Sequence, residues 1–549
     1  MNEIDSTTVS TDDFGNPRRA DSQPVDGPIA FRQYRAPSSH GDTFVEPSFT
    51  DVPDVIRKNK QLLASHQGPF EALRQRARRE LIEDAIRYTS AYRDVSWVNA
   101  SPTAPIIMAG HQPAIFHPGV WFKNFALSHL AKVNGAIAVN LVIDNDVSSG
   151  SSIRVPTVDP VSGEAAYELI PYDYAGGGVP YEQTTISHRE IFDQFDRRVC
   201  KTLERLVDDP CITALWRYAR EAIERCGVAG CALAQARHGL EGEIGLETLE
   251  LPLGVVCRST AFAEFILSIL GELPRFHRCY NDAANGYRKV HGIRSTAHPV
   301  PNLTEQGEWF EAPLWIYGDD APQRKPAWVR LSDDHLVISD RANRELRIDL
   351  RFPKLAAEQL AGHASPNFKL RPRALLTTMY ARLILSDLFL HGIGGGKYDQ
   401  LGDMIMQSFF MVEPPQFMVI SATVQLPGIE TTDYRHEIER LKRAIRQSVY
   451  QPERFADRAT LDAELVDRKR ALLAKMPPKG QRKAWHDQLQ QINHTLSHQL
   501  VALRARLRWQ LAAVQKKAAS KALLASREHP FCIFPLLYLT ETYRSLLAK

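Results

Sequence analysis

The seven cysteines, Cys200, Cys211, Cys226, Cys231, Cys257, Cys279 and Cys532, are odd in number and include no CxxC pair. With no secretory apolar segment at the start, this points to a reducing, cytoplasmic setting. The chain also lacks an apolar run fit to cross a bilayer. Its most apolar stretch, Leu375 to Leu390, contains Arg382 and Asp387, which are costly in lipid, so no membrane partner is expected. An excess of one charge is missing too: 67 Lys and Arg face 64 Asp and Glu, a net of +3. No broad field for nucleic acid is implied and no nucleic-acid partner is expected, and Arg504, Arg506 and Arg508 on a periodic helix read as a solvated face. No metal site is expected.

What is present is a chain of 549 residues, 44% hydrophobic and 24% charged, the balance of a soluble globular protein with two or three domains or large inserts. Residues 1–50 are rich in Ser, Thr, Asp, Pro and Gly without apolar periodicity and read as a disordered leader. Residues 51–430 read as a Rossmann-like, nucleotidyltransferase-like α/β core, opening with a helical preface over Val55 to Tyr92. In this core Pro105 to Gly110 is an apolar strand, Val120 to Lys132 has helical spacing, and Ala136 to Ile143 is a second strand. The three make a βαβ unit with parallel strands. A second unit follows far downstream: a helix from Pro372 to about Leu385, a strand at Leu388-Phe-Leu390, a glycine loop from His391 to Asp399, a helix to Phe410, and a strand from Gln416 to Val424. Both units are expected in one sheet, with a mixed α/β insert over about 150–369. Within the insert, Leu203 to Arg237 and Ala261 to Leu270 read as helical.

Residues 431–525 change character. Trp485, Leu489, Ile492, Leu496, Leu503, Leu507, Leu511, Val514 and Ala518 recur at three, four or seven positions, the seam of an antiparallel α-helical coiled coil, with Met476-Pro-Pro-Lys-Gly480 as a turn. The seam exceeds what one hairpin partner covers, so a homodimer through the coiled coil is expected. Residues 526–549 are expected to pack back on the core.

In open parallel sheets, ligands bind at the carboxyl ends of the strands, where helix N-termini offer free N–H groups. Two glycine loops fall there. Gly110 and Gly119 bracket His111, Gln112 and His117; any one of these residues alone reads as readily as a turn or cap, but the set reads as a site. The loop partly matches the HxGH motif of nucleotidyltransferases, with Val120 where the second histidine belongs. Asp144-Asn145-Asp146 ends the neighbouring strand, where carboxylates serve as a general base or hold an ammonium or hydroxyl. Gly394-Gly395-Gly396-Lys397, followed by Tyr398 and Asp399, is a cradle for phosphate or carboxylate without Walker spacing. Arg371, Lys369 and Glu311 are weaker ligand candidates, each of which reads first as a structural salt-bridge residue. The cysteines read as buried and inert.

The order of parts resembles the bacillithiol-biosynthesis cysteine-adding enzymes, which share a GQQ-type loop and helix, an acidic strand end, an Arg-Pro helix, a GPGE-type loop and a coiled coil. The matching stretches are Gly110-His-Gln112, Asp144-Asn-Asp146, Arg371-Pro372, Gly394-Gly-Gly-Lys397 and Tyr434 to Ala522. The resemblance covers most of the chain after about Val55, in short islands. It implies a Rossmann-like core, a coiled-coil dimer, and amide formation between cysteine and an amino-sugar malate conjugate. Two departures stand out: the EDHD strand end is Ile143-Asp-Asn-Asp146 here, and Lys397 replaces the glutamate of GPGE. The leading expectation is a ligase joining an amino acid to an amine-bearing small molecule, with ATP as candidate cofactor, His111, Gln112, His117, Asp144 and Asp146 catalytic, the glycines and Lys397 on the nucleotide, and Asn145, Arg371, Tyr398 and Asp399 on the substrate. The alternatives are a nucleotidyltransferase with another substrate, and a non-catalytic metabolite-binding relative working through its coiled coil.

Overall fold

The computed structural model describes residues 31–65, 69–99, 101, 103–174, 177–363, 365–429, 432–457 and 461–548. In chain order the strands are β1 Thr43–Glu46, β2 Ile106–His111, β3 Ile137–Val142, β4 Ser152–Val158, β5 Ala165–Pro171, β6 Leu249–Pro252, β7 Glu305–Gln306, β8 Trp309–Gly318, β9 Ala321–Leu331, β10 His335–Ser339, β11 Glu345–Asp349, β12 Lys369–Pro372, β13 Leu388–His391 and β14 Met418–Ala422. The chain is mixed α/β and divides into two compact units, the first formed by residues 1–155, 169–424 and 527–549, the second by 156–168 and 425–526.

The first unit is built on a six-stranded sheet in the order β1-β14-β13-β2-β3-β6. All neighbours in it are parallel except the edge strand β1, which runs antiparallel to β14. The first four residues of β2 and all of β3 are buried, which is why both read as continuous apolar runs rather than alternating ones. The two βαβ units found in the sequence therefore do share a sheet, with β2 beside β13 and Leu390 abreast of Ala109. The two charges that interrupt the most apolar stretch are both paired inside this unit. Arg382 donates to Asp399 and Asp403 at 2.7 and 2.6 Å, and Asp387 accepts from Arg78 at 2.7 Å and from the Ile106 amide at 2.9 Å.

A second, antiparallel sheet, β11-β10-β9-β8-β12, lies within the expected insert except for β12, which runs past it to Pro372, and β7 pairs with β8. The insert also adds β6 to the main sheet. The helical stretch expected over Leu203 to Arg237 is three helices, Phe195–Leu203, Ile212–Cys226 and Ala229–Glu243. Gly227 takes the left-handed conformation at φ 65° and ends the middle one, a change of direction that an apolar pattern does not register.

Two expectations need correcting. Part of the expected leader is structured: β1 pairs with β14 and Tyr34 is buried, because a four-residue edge strand needs only one partner and little apolar sequence of its own. Residues 1–30 lie outside the described residues. The second correction concerns the glycine loop, of which only Gly392 lies outside regular structure. The helix Ile393–Ile405 starts immediately after it, so Gly394 to Lys397 form its first turns. Glycine serves close packing there: a Cβ on Gly396 would stand 2.5 Å from Val419 Cγ2.

The second unit contains the helices Arg435–Tyr450, Ala463–Ala474, Arg482–Gln499 and Val501–Leu524. Val466, Ile492 and Leu496 form its buried cluster, with Leu461, Leu465 and Leu472 packed around them. Among the described residues of the chain, no helix is long and apolar enough to cross a membrane.

Candidate functional site

From the β2/β13 pair the chain leaves in opposite directions, β2 crossing to β3 on one side and β13 to β14 on the other. Such a reversal opens a crevice at the carboxyl ends of the strands, the usual ligand position in open α/β sheets. Gly110 and His111 end β2 there, and His391 ends β13 one residue past the Leu390–Ala109 pair.

The helix after β2, Pro118–Val133, brings Lys123 to this edge. Lys123 is 2% exposed, and its ammonium donates to the Gly110 carbonyl at 2.6 Å. Burial, and then the nearby Arg237 guanidinium, bring its pKa down to about 7. His111 lies against Phe116, with Nδ1 3.0 Å from the Gln112 carbonyl. Burial and then the charge of Lys123 lower it to about 3, so at neutral pH it is a neutral imidazole, not a cation for a phosphate.

One strand over, the turn after β3 gathers the densest polar cluster. Asp144 accepts from the Gly254 amide at 3.0 Å, and its carbonyl accepts from the Glu182 amide at 2.8 Å. Glu182 receives both Nε and Nη2 of Arg371 at 2.8 and 2.9 Å, and the Tyr317 hydroxyl as well. Arg371 and Tyr317 come from the paired strands β12 and β8 of the second sheet. Burial raises Glu182, but the Arg371 guanidinium more than reverses this and the group stays below its ordinary value. Asp144 has no such partner; burial first, then the Glu182 charge, push it up to about 7. Asn145 donates to the Pro372 carbonyl at 2.8 Å, and Asp146 accepts from Gln112 at 2.6 Å and Arg324 at 3.2 Å. Gln112, Asp144, Asn145, Asp146 and Arg371 are thus brought together, with Gly110 and His111 at the neighbouring strand end.

Other expected residues go elsewhere. His117 caps the Pro118–Val133 helix, its Nδ1 accepting from the Gly119 amide at 3.1 Å, and lies 3.8 Å from Glu528. Gly119 packs against β14, where a Cβ would meet the Ala422 carbonyl oxygen at 2.2 Å. Asp399 is buried and holds His391 at 2.9 Å and Arg382 at 2.7 Å, and Tyr398 faces His298 with ring centroids 5.8 Å apart. Lys369 and Glu311 do form ion pairs, with Asp319 at 2.7 Å and Arg373 at 2.6 Å.

Beside Arg371 opens a cavity of about 210 Å³ whose lining includes Cys257, Arg258, His363 and Lys369 above an apolar floor with Phe262 and Ile266. Burial raises the Cys257 thiol well above its ordinary value, so it is no nucleophile at neutral pH. No protein-family profile and no curated protein matches the chain. The site brings together a carboxyl group poised near neutrality, a fixed carboxylate–guanidinium pair and a cation-lined cavity. Among the described residues, no group of three or more His, Cys, Asp or Glu side chains is placed to hold a metal ion.

Glu182, Tyr317 and Lys123 were missed from sequence. Only Lys123 left a signal: it stands in Trp121-Phe122-Lys123-Asn124-Phe125, on a helix apolar nearly all round, where a charge has no solvated face to occupy.

Proposed function

We propose that the protein is a carbon–nitrogen bond-forming ligase that joins an amino acid, cysteine in the resembled family, to an amine-bearing small molecule such as an amino-sugar conjugate, in low-molecular-weight thiol biosynthesis or a related pathway. The proposal includes the Rossmann-like reading of the core. The observation that carries it is Asp144, a carboxyl group near neutrality beside the Glu182–Arg371 pair at the carboxyl edge of a parallel sheet. Amide formation requires an amine to lose a proton as it attacks, and a base with a pKa near 7 suits that task. Arg371 fixes Glu182 so that Asp144 alone exchanges the proton, while Arg258 in the adjoining cavity suits a substrate carboxylate.

ATP would supply activation of the acid, and the residues present fit its phosphates. Gly394 and Gly395 are exposed in the first turn of the Ile393–Ile405 helix, no side chain caps that end, and Lys397 follows.

The test is to incubate the purified protein with ATP, an amino-acid panel and an amino-sugar acceptor. Pyrophosphate or ADP release that depends on one amino acid is expected, and Asp144→Asn should cut it roughly 100-fold or more. Release indifferent to amino acids would replace the ligase with a nucleotidyltransferase, and no release with retained metabolite binding would make the protein a non-catalytic relative.

A further inference from the structure

The near-neutral total charge hides a strong asymmetry. Residues 425–526 hold 20 Lys and Arg against 10 Asp and Glu, and no acid occurs from Gln488 to Ser526. Adding residues 156–168, with three acids and no base, leaves the second unit at +7 in a chain of +3. The helix Val501–Leu524 carries six of these cations, and none of its residues is fully buried.

The cations are not spread evenly round this helix. Leu503, Leu507, Leu511 and Val514 are half-buried, and the helix packs along Arg435–Tyr450. The other side exposes Arg506, Arg508, Lys516 and Lys517 around Trp509, which is 73% exposed. Lys516 pairs with Glu164 at 2.7 Å, whereas Arg506, Arg508 and Lys517 have no acidic partner among the described residues. One and two turns of helix place Arg506 and Lys516 on the face of Trp509. The positions that would crowd the indole, Ala505, Ala512 and Ala513, are all alanine.

We propose that this face binds a single-stranded nucleic acid, with a base stacked on Trp509 and the backbone held by Arg506, Arg508 and Lys517. A flat exposed aromatic among unpaired cations is the arrangement by which strands are held without sequence preference. From Arg506 to Lys516 the helix rises roughly 15 Å, long enough to lie along more than one phosphate of a strand. An anionic membrane is disfavoured because the apolar face of the helix is already occupied within the unit, leaving little to insert. A second copy of the same face is disfavoured by like charge. Spacing alone shows Arg506 and Arg508 as a solvated face and does not show which cations lack partners; Arg504 lies off this face, half-buried and donating to the Ser497 carbonyl.

The full-length protein is titrated against a short fluorescein-labelled single strand, following anisotropy and indole quenching between about 50 and 200 mM salt. Binding that weakens with salt is expected. W509A should weaken it about tenfold while W509F retains most of it. The triple variant R506E/R508E/K517E should lower the salt slope by about 2, with helical circular dichroism unchanged as the check on folding. The proposal is overturned if the wild type fails to bind at about 100 μM in low salt, if W509A or the folded triple variant binds like wild type, if duplex binds as tightly as the single strand, or if anionic vesicles quench Trp509 and the strand does not.

Discussion

Asp144 and Lys123 are both carried into the protein near the carboxyl edge of one sheet with little compensation, and their effects on stability have opposite signs. The folded pKa of Asp144, about 7, lies above the unfolded value of about 3.9. Between those values the native state binds more protons than the unfolded one, so this group's contribution falls as pH rises and its penalty is complete above pH 7. Lys123, lowered to about 7, penalises the fold below pH 7 and ceases to do so as pH rises towards the unfolded value of about 10.4. Asp144→Asn keeps an oxygen for the Gly254 amide and removes the charge. It should therefore stabilise the protein by about 1–3 kcal/mol at pH 8 and by almost nothing at pH 4, while losing activity. Urea unfolding of both proteins at the two pH values measures this; a variant less stable than wild type at pH 8 would show that Asp144 is ionised and well held. Asp144, Asn145 and Arg371 could be found in the sequence because each stands at or just past a strand. Glu182 could not: it lies 38 positions beyond Asp144 and is returned to it by the hydrogen bond from its amide to the Asp144 carbonyl.

At the scale of elements, β2, the Pro118–Val133 helix, β3, β13 and β14 were legible because a buried parallel strand is an unbroken apolar run and its covering helix has a 3.6-residue period. Edge strand β1 and the helical state of Gly394 to Lys397 were not, since one depends on a partner far along the chain and the other runs against helix propensity. The glycines differ in what they do, and alanine separates them. Gly119→Ala would drive a Cβ to 2.2 Å from a backbone oxygen of β14, which cannot yield as a side-chain tip could. A loss of more than about 2 kcal/mol is expected. At Gly394 a Cβ meets nothing within 4 Å and the backbone is helical, so Gly394→Ala should raise stability by about 0.5–1 kcal/mol. Thermal unfolding of the two variants checks the contrast, and equal effects would remove the claim that Gly119 serves close approach.

For the whole molecule, the seam read from the sequence marks which residues are covered but not by what. Leu489, Ile492, Leu496 and Leu500 are buried within a single chain, and the helix ends at Gln499 and restarts at Val501, so the run from Trp485 to Ala518 is not one continuous helix. The homodimer proposal keeps the second unit as its interface but loses those positions as its contact surface. What stays open there includes Leu473, Met476 and Val501 at 50%, 67% and 56% exposure. Leu496→Asp should consequently unfold the second unit whether or not chains pair, because it places a charge without a partner against Val466 and Ile492. Leu473→Asp with Met476→Asp leaves that cluster intact and should act only on pairing. Light scattering over a concentration series is expected to give a wild-type mass near twice 61.9 kDa and a lower mass for the double variant, with helical circular dichroism preserved. A wild type that stays at 61.9 kDa at the highest concentration would end the dimer proposal and leave the second unit as a bundle closed within one chain.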